Sequence, residues 1–216
     1  MVNKINNNNL YIAVDTCGAS LRSLCDLHGT EYLWQSKNNG SNLSVPIIFG
    51  DGENTISENF KLINKTSSEL SLSYTHKNTG LSLKVVYSLM ENTLNISFLV
   101  KNETNENKVY TIGAKPCFFV PIDEDESFSD YLLKLNDQNF LFKDFKENIT
   151  NLNINTNTLI LYSLQSGKGV KLGSENISAN SLITLKTDEL LCINFNENGE
   201  VKANGFQEHN IKITII

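Results

Sequence analysis

Arginine is almost missing from this chain: Arg22 is the single guanidinium in 216 residues. That removes the bidentate donors with which proteins usually clamp phosphates and carboxylates. Positive charge is scarce overall, since 18 Lys+Arg stand against 24 Asp+Glu for a net charge of −6. An acidic surface attracts neither nucleic acid nor an anionic membrane, so no partner of either kind is expected. The three histidines, His28, His76 and His209, are scattered, and the four cysteines, Cys17, Cys25, Cys117 and Cys192, form no C-x-x-C pair. Without clustered ligands no metal site is expected, and nothing calls for another cofactor. Unpaired buried thiols in a reducing cytosol are the expected state of the cysteines. No apolar run is long enough to span a bilayer, and the polar, Asn-rich residues 1–9 hold no apolar signal-peptide core. The expectation is a cytoplasmic protein with a disordered lead over residues 1–9 and one domain over residues 10–216.

Several catalytic signatures are missing too. There is no G-x-S-x-G, and Ser127 has no histidine near it in sequence. Gly167-Lys168-Gly169 lacks the rest of a phosphate loop. The acidic run Asp123 to Glu126 lacks EF-hand spacing and reads as a solvated loop.

What the chain does have is alternation. Forty per cent of its residues are hydrophobic, enough to build a core. Leu70, Leu72 and Tyr74 alternate with serines; Leu81, Leu83, Val85, Tyr87 and Leu89 alternate with Ser82, Lys84 and Ser88; Leu94, Ile96, Phe98 and Val100 follow the same rule. A period of two over three consecutive runs predicts strands with one buried face. Glu91-Asn92 suits a tight turn between the last two. Residues 102–107 read as a solvated loop. Further short strands are predicted over residues 10–14, 31–35, 158–164, 169–172, 182–185, 190–195 and 211–216, whereas the Asn/Thr-rich residues 148–158 favour turns. Residues 36–44 read as a polar linker. With no capped helical period anywhere, the fold class is all-β, an antiparallel sandwich.

Residues 111–131, T-I-G-A-K-P-C-F-F-V-P-I-D-E-D-E-S-F-S-D-Y, hold two of the three prolines and the densest acidic cluster. This stretch resembles the strand and loop that carry the catalytic histidine in galactose mutarotases (aldose 1-epimerases), above all the LacX-like branch, which reads G-G-H-P-A-F and then P-L-D-E-G-E-S-F-x-D-Y. The opening G-A-S-L-R-S-L-C-D-L-H-G-T-E-Y-L-W-Q is similar to the same branch's first hairpin. V-P-I-I-F-G, from Val45 to Gly50, resembles its A-P-V-L-F-P, and L-Y-S-L-Q-S-G-K-G-V-K a later segment.

The resemblance implies the large galactose mutarotase-like sandwich, the supersandwich, and a place in carbohydrate metabolism. It also implies where catalysis would sit. Ring opening and closure need a base on the anomeric hydroxyl and an acid on the ring oxygen, each contributing about 10² to 10⁴ in rate. Lys115 stands where the family has its acid, the histidine. Cys192-Ile193-Asn194-Phe195-Asn196 matches the family's C-I-E-P-W, so Asn194 stands where the base glutamate would be. The family's H-G-F-A-R segment has no counterpart after Gly52, as if the chain were shortened there. An amide cannot act as a base near neutral pH, and an ordinary lysine titrates near 10.4, far from an ideal acid. The expected function is therefore a catalytically degenerate carbohydrate-binding module, with a small-molecule carbohydrate as partner. Lys115, Asn194, Phe118 and Phe119 are its expected binding residues, the two aromatics forming one wall of the cleft. The alternatives are an epimerase using Lys115 with an unplaced carboxylate, and an interaction protein with a closed cleft.

Overall fold

Alternation decides the core. In two neighbouring strands, Leu83, Val85, Tyr87 and Leu89 and then Leu94, Ile96, Phe98 and Val100 are buried, while the residues between them face outward. Successive side chains of a strand point to opposite faces, so the pattern leaves one dry face and one wet one. The computed structural model describes residues 1–35, 45–52 and 54–216, so the linker expected over residues 36–44 lies outside them.

In chain order the strands are β1 (Val2–Asn6), β2 (Leu10–Asp15), β3 (Leu21–Asp26), β4 (Ile47–Gly50), β5 (Lys61–Lys65), β6 (Glu69–Thr75), β7 (Ser82–Met90), β8 (Thr93–Lys101), β9 (Lys108–Ala114) and β10 (Cys117–Phe119). They continue as β11 (Tyr131–Leu135), β12 (Gln138–Leu141), β13 (Ile149–Thr156), β14 (Thr158–Ser163), β15 (Gly169–Gly173), β16 (Ser178–Leu185), β17 (Leu190–Val201) and β18 (Phe206–Ile215). Two single-turn 3₁₀ segments, Phe128–Asp130 and Phe142–Asp144, are the helical pieces among the described residues.

The pairings are antiparallel and make three sheets. β1, β2 and β3 form a small meander. A nine-stranded sheet runs β12-β11-β14-β15-β18-β8-β7-β6-β5, and a second sheet runs β13-β16-β17-β9-β4 with β10 added beside β17. The result is the all-β sandwich expected from the alternating runs. The β7–β8 register pairs Met90 with Thr93, which leaves Glu91-Asn92 as the expected two-residue turn. Glu91 takes a positive φ of 52° there, as such hairpin turns require.

Five local expectations are corrected. Residues 2–6 are not a disordered lead: they pair in full with β2, and Asn3 and Ile5 turn inward. Residues 149–156 form a strand rather than turns, because Leu152, Ile154 and Thr156 alternate inward and pairing with β16 outweighs the local preference of asparagine. β17 runs on through the polar residues 196–200, carried by its ladder with β9. The strand expected over residues 31–35 reduces to isolated bridges, Cys25 with Glu31 and Leu33 with Phe118.

The loop at residues 102–107 is anchored rather than solvated, since Asn102 is completely buried. Its Nδ2 donates to the carbonyls of Glu106 at 2.7 Å, Lys202 at 3.1 Å and Val201 at 3.3 Å. Its Oδ1 accepts from Thr104 N and Oγ1, at 3.0 and 2.8 Å. One side chain thus ties the β8–β9 loop to the β17–β18 hairpin. Removing it strands buried carbonyls, each costing about 1–3 kcal/mol. Asn102→Ala is therefore expected to lower unfolding stability by about 2–3 kcal/mol in urea titrations, against less than about 0.5 kcal/mol for Asn105→Ala in the same loop.

Candidate functional site

The outward face of the sheet that holds β9 and β17 is set by register. Inward, Tyr110, Ile112 and Ala114 of β9 and Leu191, Ile193 and Phe195 of β17 are buried in the core. The alternate residues, Val109, Thr111 and Gly113 on β9 and Cys192, Asn194, Asn196, Asn198 and Glu200 on β17, share the other face. Lys115 continues that alternation just past the end of β9. Its backbone N–H donates to the Pro46 carbonyl at 3.1 Å, and the neighbouring Pro116 carbonyl accepts from Ile193 N–H at 2.9 Å. The backbone under Lys115 is pinned on both sides.

Lys115 and Asn194 meet. Both line a hollow of about 170 Å³, with Ser181 and Ile183 of β16 and with Cys192. Ser181 pairs with Asn194 and Ile183 with Cys192, which brings β16 under the same hollow. The Lys115 side chain is exposed, and Asn194 is half-buried with its Oδ1 buried and unpartnered among the described residues. No carboxylate or imidazole is among the residues lining this hollow.

Beside it, Cys117 and Cys192 are bonded, lying directly across from each other in the β10–β17 register. The expectation of unpaired buried thiols is wrong for these two, while Cys17 and Cys25 are unpaired but only partly buried. Burial pushes the Cys25 thiol up to about 11, so it stays protonated.

The expected aromatic wall is not there. Phe118 is fully buried, paired with Leu191. Phe119, on the opposite side of β10, lines a different and larger hollow of about 640 Å³ with Pro121, Asp123, Glu126 and Lys168. Adjacent residues of a strand cannot share a face. Four of the charged groups around that larger hollow, Glu31, Asp123, Glu126 and Lys168, are already engaged within the fold. Lys168 Nζ meets Asp123 Oδ2 at 2.6 Å. Ser163 Oγ donates to Glu126 Oε1 at 2.5 Å, and the Tyr131 hydroxyl donates to Glu126 Oε2. Ser23 Oγ and the Leu24 and Leu33 N–H groups all donate to Glu31. The acidic loop is therefore docked rather than freely solvated, and volume alone does not make this hollow the site.

No group of metal-ligating side chains is found among the described residues, and no helix among them is long and apolar enough to cross a membrane. Ser181 and Ile183 escaped the sequence reading because nothing local marks them. Asn194, Asn196 and Asn198 did carry a signal, three amides at a spacing of two.

No protein-family model matches the chain. Its curated relatives include the plasmid and chromosomal LacX proteins of Lactococcus lactis subsp. lactis, each 28% identical over 173 residues. That match takes in 63% of this chain and 57% of each relative, so the chain spans little more than half their length. Among solved structures, a galactose mutarotase-like protein from Lactobacillus casei superposes with a TM-score of 0.82 at 15% identity, covering all of both chains. A galactose mutarotase related enzyme from Lactobacillus acidophilus superposes with a TM-score of 0.80 at 16% identity, covering 100% of this chain and 97% of that one. At such identity the likeness establishes the fold.

The docked acidic loop has a pH signature. Burial alone would raise the Glu126 carboxyl, but the hydrogen bonds from Ser163 and Tyr131 outweigh it and hold the group below its ordinary value. A carboxyl depressed in the folded state stabilises the fold above its unfolded pKa, about 4.3, and loses that contribution as pH falls through the folded value. Thermal unfolding of the native protein and Glu126→Gln is expected to show a gap that is constant above about pH 5 and closes as pH falls through the lowered folded-state value. A gap that does not change with pH would contradict the role given to this carboxylate.

Proposed function

We propose that this chain, a galactose mutarotase-like protein by fold and a relative of LacX by sequence, binds a carbohydrate without catalysing its epimerisation. The observation that carries the reading is the convergence of Lys115 and Asn194 on one hollow with no carboxylate or imidazole in its lining. These are the two positions where the resemblance puts the acid and the base of mutarotation. Without a base, the anomeric proton has nowhere to go at neutral pH. What remains suits recognition, since Lys115 offers three donors and Asn194 both donors and an acceptor, a match for sugar hydroxyls. The apolar side chain of Ile183 supplies a surface for the C–H face of a ring.

The hollow is smaller than the roughly 300–1,000 Å³ of sites that enclose a drug-sized ligand. A monosaccharide would be gripped on one side only, and a dissociation constant on the order of 1 mM is the expected consequence, equivalent to about 4 kcal/mol. The same small volume supports a second reading, an interaction protein whose inherited cleft has closed.

Polarimetry on freshly dissolved α-galactose and α-glucose is expected to give the buffer rate with or without protein. Titration of either sugar is expected to shift the amide resonances of Lys115 and Asn194 with millimolar affinity. A rate enhancement abolished by Lys115→Ala would establish an enzyme instead, and unmoved resonances with no binding at all would favour the closed cleft.

A further inference from the structure

Resting on that carbohydrate-binding reading, we propose that the ligand is at least a disaccharide, held along β17 on an amide strip that joins the Lys115–Asn194 hollow to a second one at Asn198. Asn194, Asn196 and Asn198 are alternate residues of one strand and face the same way. At about 3.4 Å per residue, Asn194 and Asn198 stand about 14 Å apart, longer than a single sugar ring. The second hollow, of about 460 Å³, is lined from the same face by Val109, Thr111, Asn198 and Glu200, with Asp51 beside them, and also reaches Tyr110 and Gly199 of the alternate set. The register thus puts the two hollows on one face of β17, with the buried Asn196 as the floor between them.

The track has the chemistry of a neutral polyol site. Thr111 Oγ1 donates to Asn198 Oδ1 at 2.8 Å, which fixes that amide and leaves its Nδ2 hydrogens for solvent or ligand. Between the hollows, Asn196 is only 6% exposed. Asn180 Nδ2 donates to its Oδ1 at 2.5 Å, yet its own Nδ2 is buried without a partner among the described residues, as is Asn194 Oδ1. Buried polar atoms left unpaired are unfavourable, so a donor and an acceptor missing their partners on one face of β17 favour a ligand that supplies both. A hydroxyl does so, and a row of primary amides matches a row of hydroxyls without net charge.

Gly113, paired with Asn196, puts no side chain over the middle of the track. Val109, 73% exposed at the far end, offers apolar area to a second ring. Asp51 and Glu200 there repel an anion. Together these features favour a neutral glycan over a sugar phosphate.

Calorimetric titration with glucose, galactose, maltose, cellobiose and lactose tests the proposal, with amide shifts recorded in parallel. At least one disaccharide is expected to bind tenfold or more tightly than its monosaccharide, with Asn198 and Thr111 shifting only for the disaccharide. Asn198→Ala, which removes the amide donor along with the acceptor of the Thr111 hydroxyl, is expected to bring the affinity ratio of disaccharide to monosaccharide to about one, with unchanged monosaccharide affinity showing that the rest of the face is intact. Equal affinities with Asn198 silent, while Lys115 and Asn194 still shift, would overturn the track and leave the monosaccharide reading standing. Absence of binding by all five sugars would remove both.

Discussion

The close pairing of β9 with β17 is the constraint on which the site depends. At Gly113 the two backbones come so near that an added Cβ would lie 2.0 Å from the Phe195 carbonyl oxygen. Only glycine permits that approach, and it lies two residues before Lys115 and opposite Asn196, two residues beyond Asn194 in the facing strand. The same pairing sets the register that turns Asn194, Asn196 and Asn198 outward and sends Ile193 and Phe195 into the core. The Cys117–Cys192 bond and the two backbone hydrogen bonds beside it fix β10 against the same strand. Lys115 is thus held at the junction of three strands, and only its side chain is free to adapt to a ligand.

On the proposed reading, lysine and asparagine at the positions where the resemblance puts acid and base have a clear energetic meaning. Mutarotation depends on groups whose protonation changes during the reaction, and neither replacement supplies one near neutral pH. Binding depends on donors and acceptors that stay as they are, and both replacements supply those. The larger hollow beside Phe119 shows the opposite economy. It has volume and several carboxylates, but Asp123, Glu126 and Glu31 each already hold a lysine, hydroxyls or backbone amides. A ligand reaching for those three carboxylates would have to break structural bonds before making its own.

Much of the fold was legible from the alternating runs of β6, β7 and β8, because a period of two is a local signal that burial enforces. β1, β13 and the far half of β17 were not, since their asparagines read as turn formers and only pairing with neighbours distant in sequence makes them strands. The disulfide was equally hidden: its cysteines are 75 residues apart, and only the register of β10 on β17 brings them together. The meeting of Lys115 with Asn194 was legible through the family resemblance, not through composition. The aromatic wall was an avoidable error, because adjacent Phe118 and Phe119 in a strand must face opposite ways.

The central claim is that the ligand surface is the outward face of β9 and β17. Crystals soaked with a disaccharide that binds in solution would test it most directly. The account predicts sugar density along β17, with one ring between Lys115 and Asn194 and hydroxyls on the amides of Asn196 and Asn198. Density in the hollow beside Phe119, or none on the β17 face at saturating sugar, would contradict it.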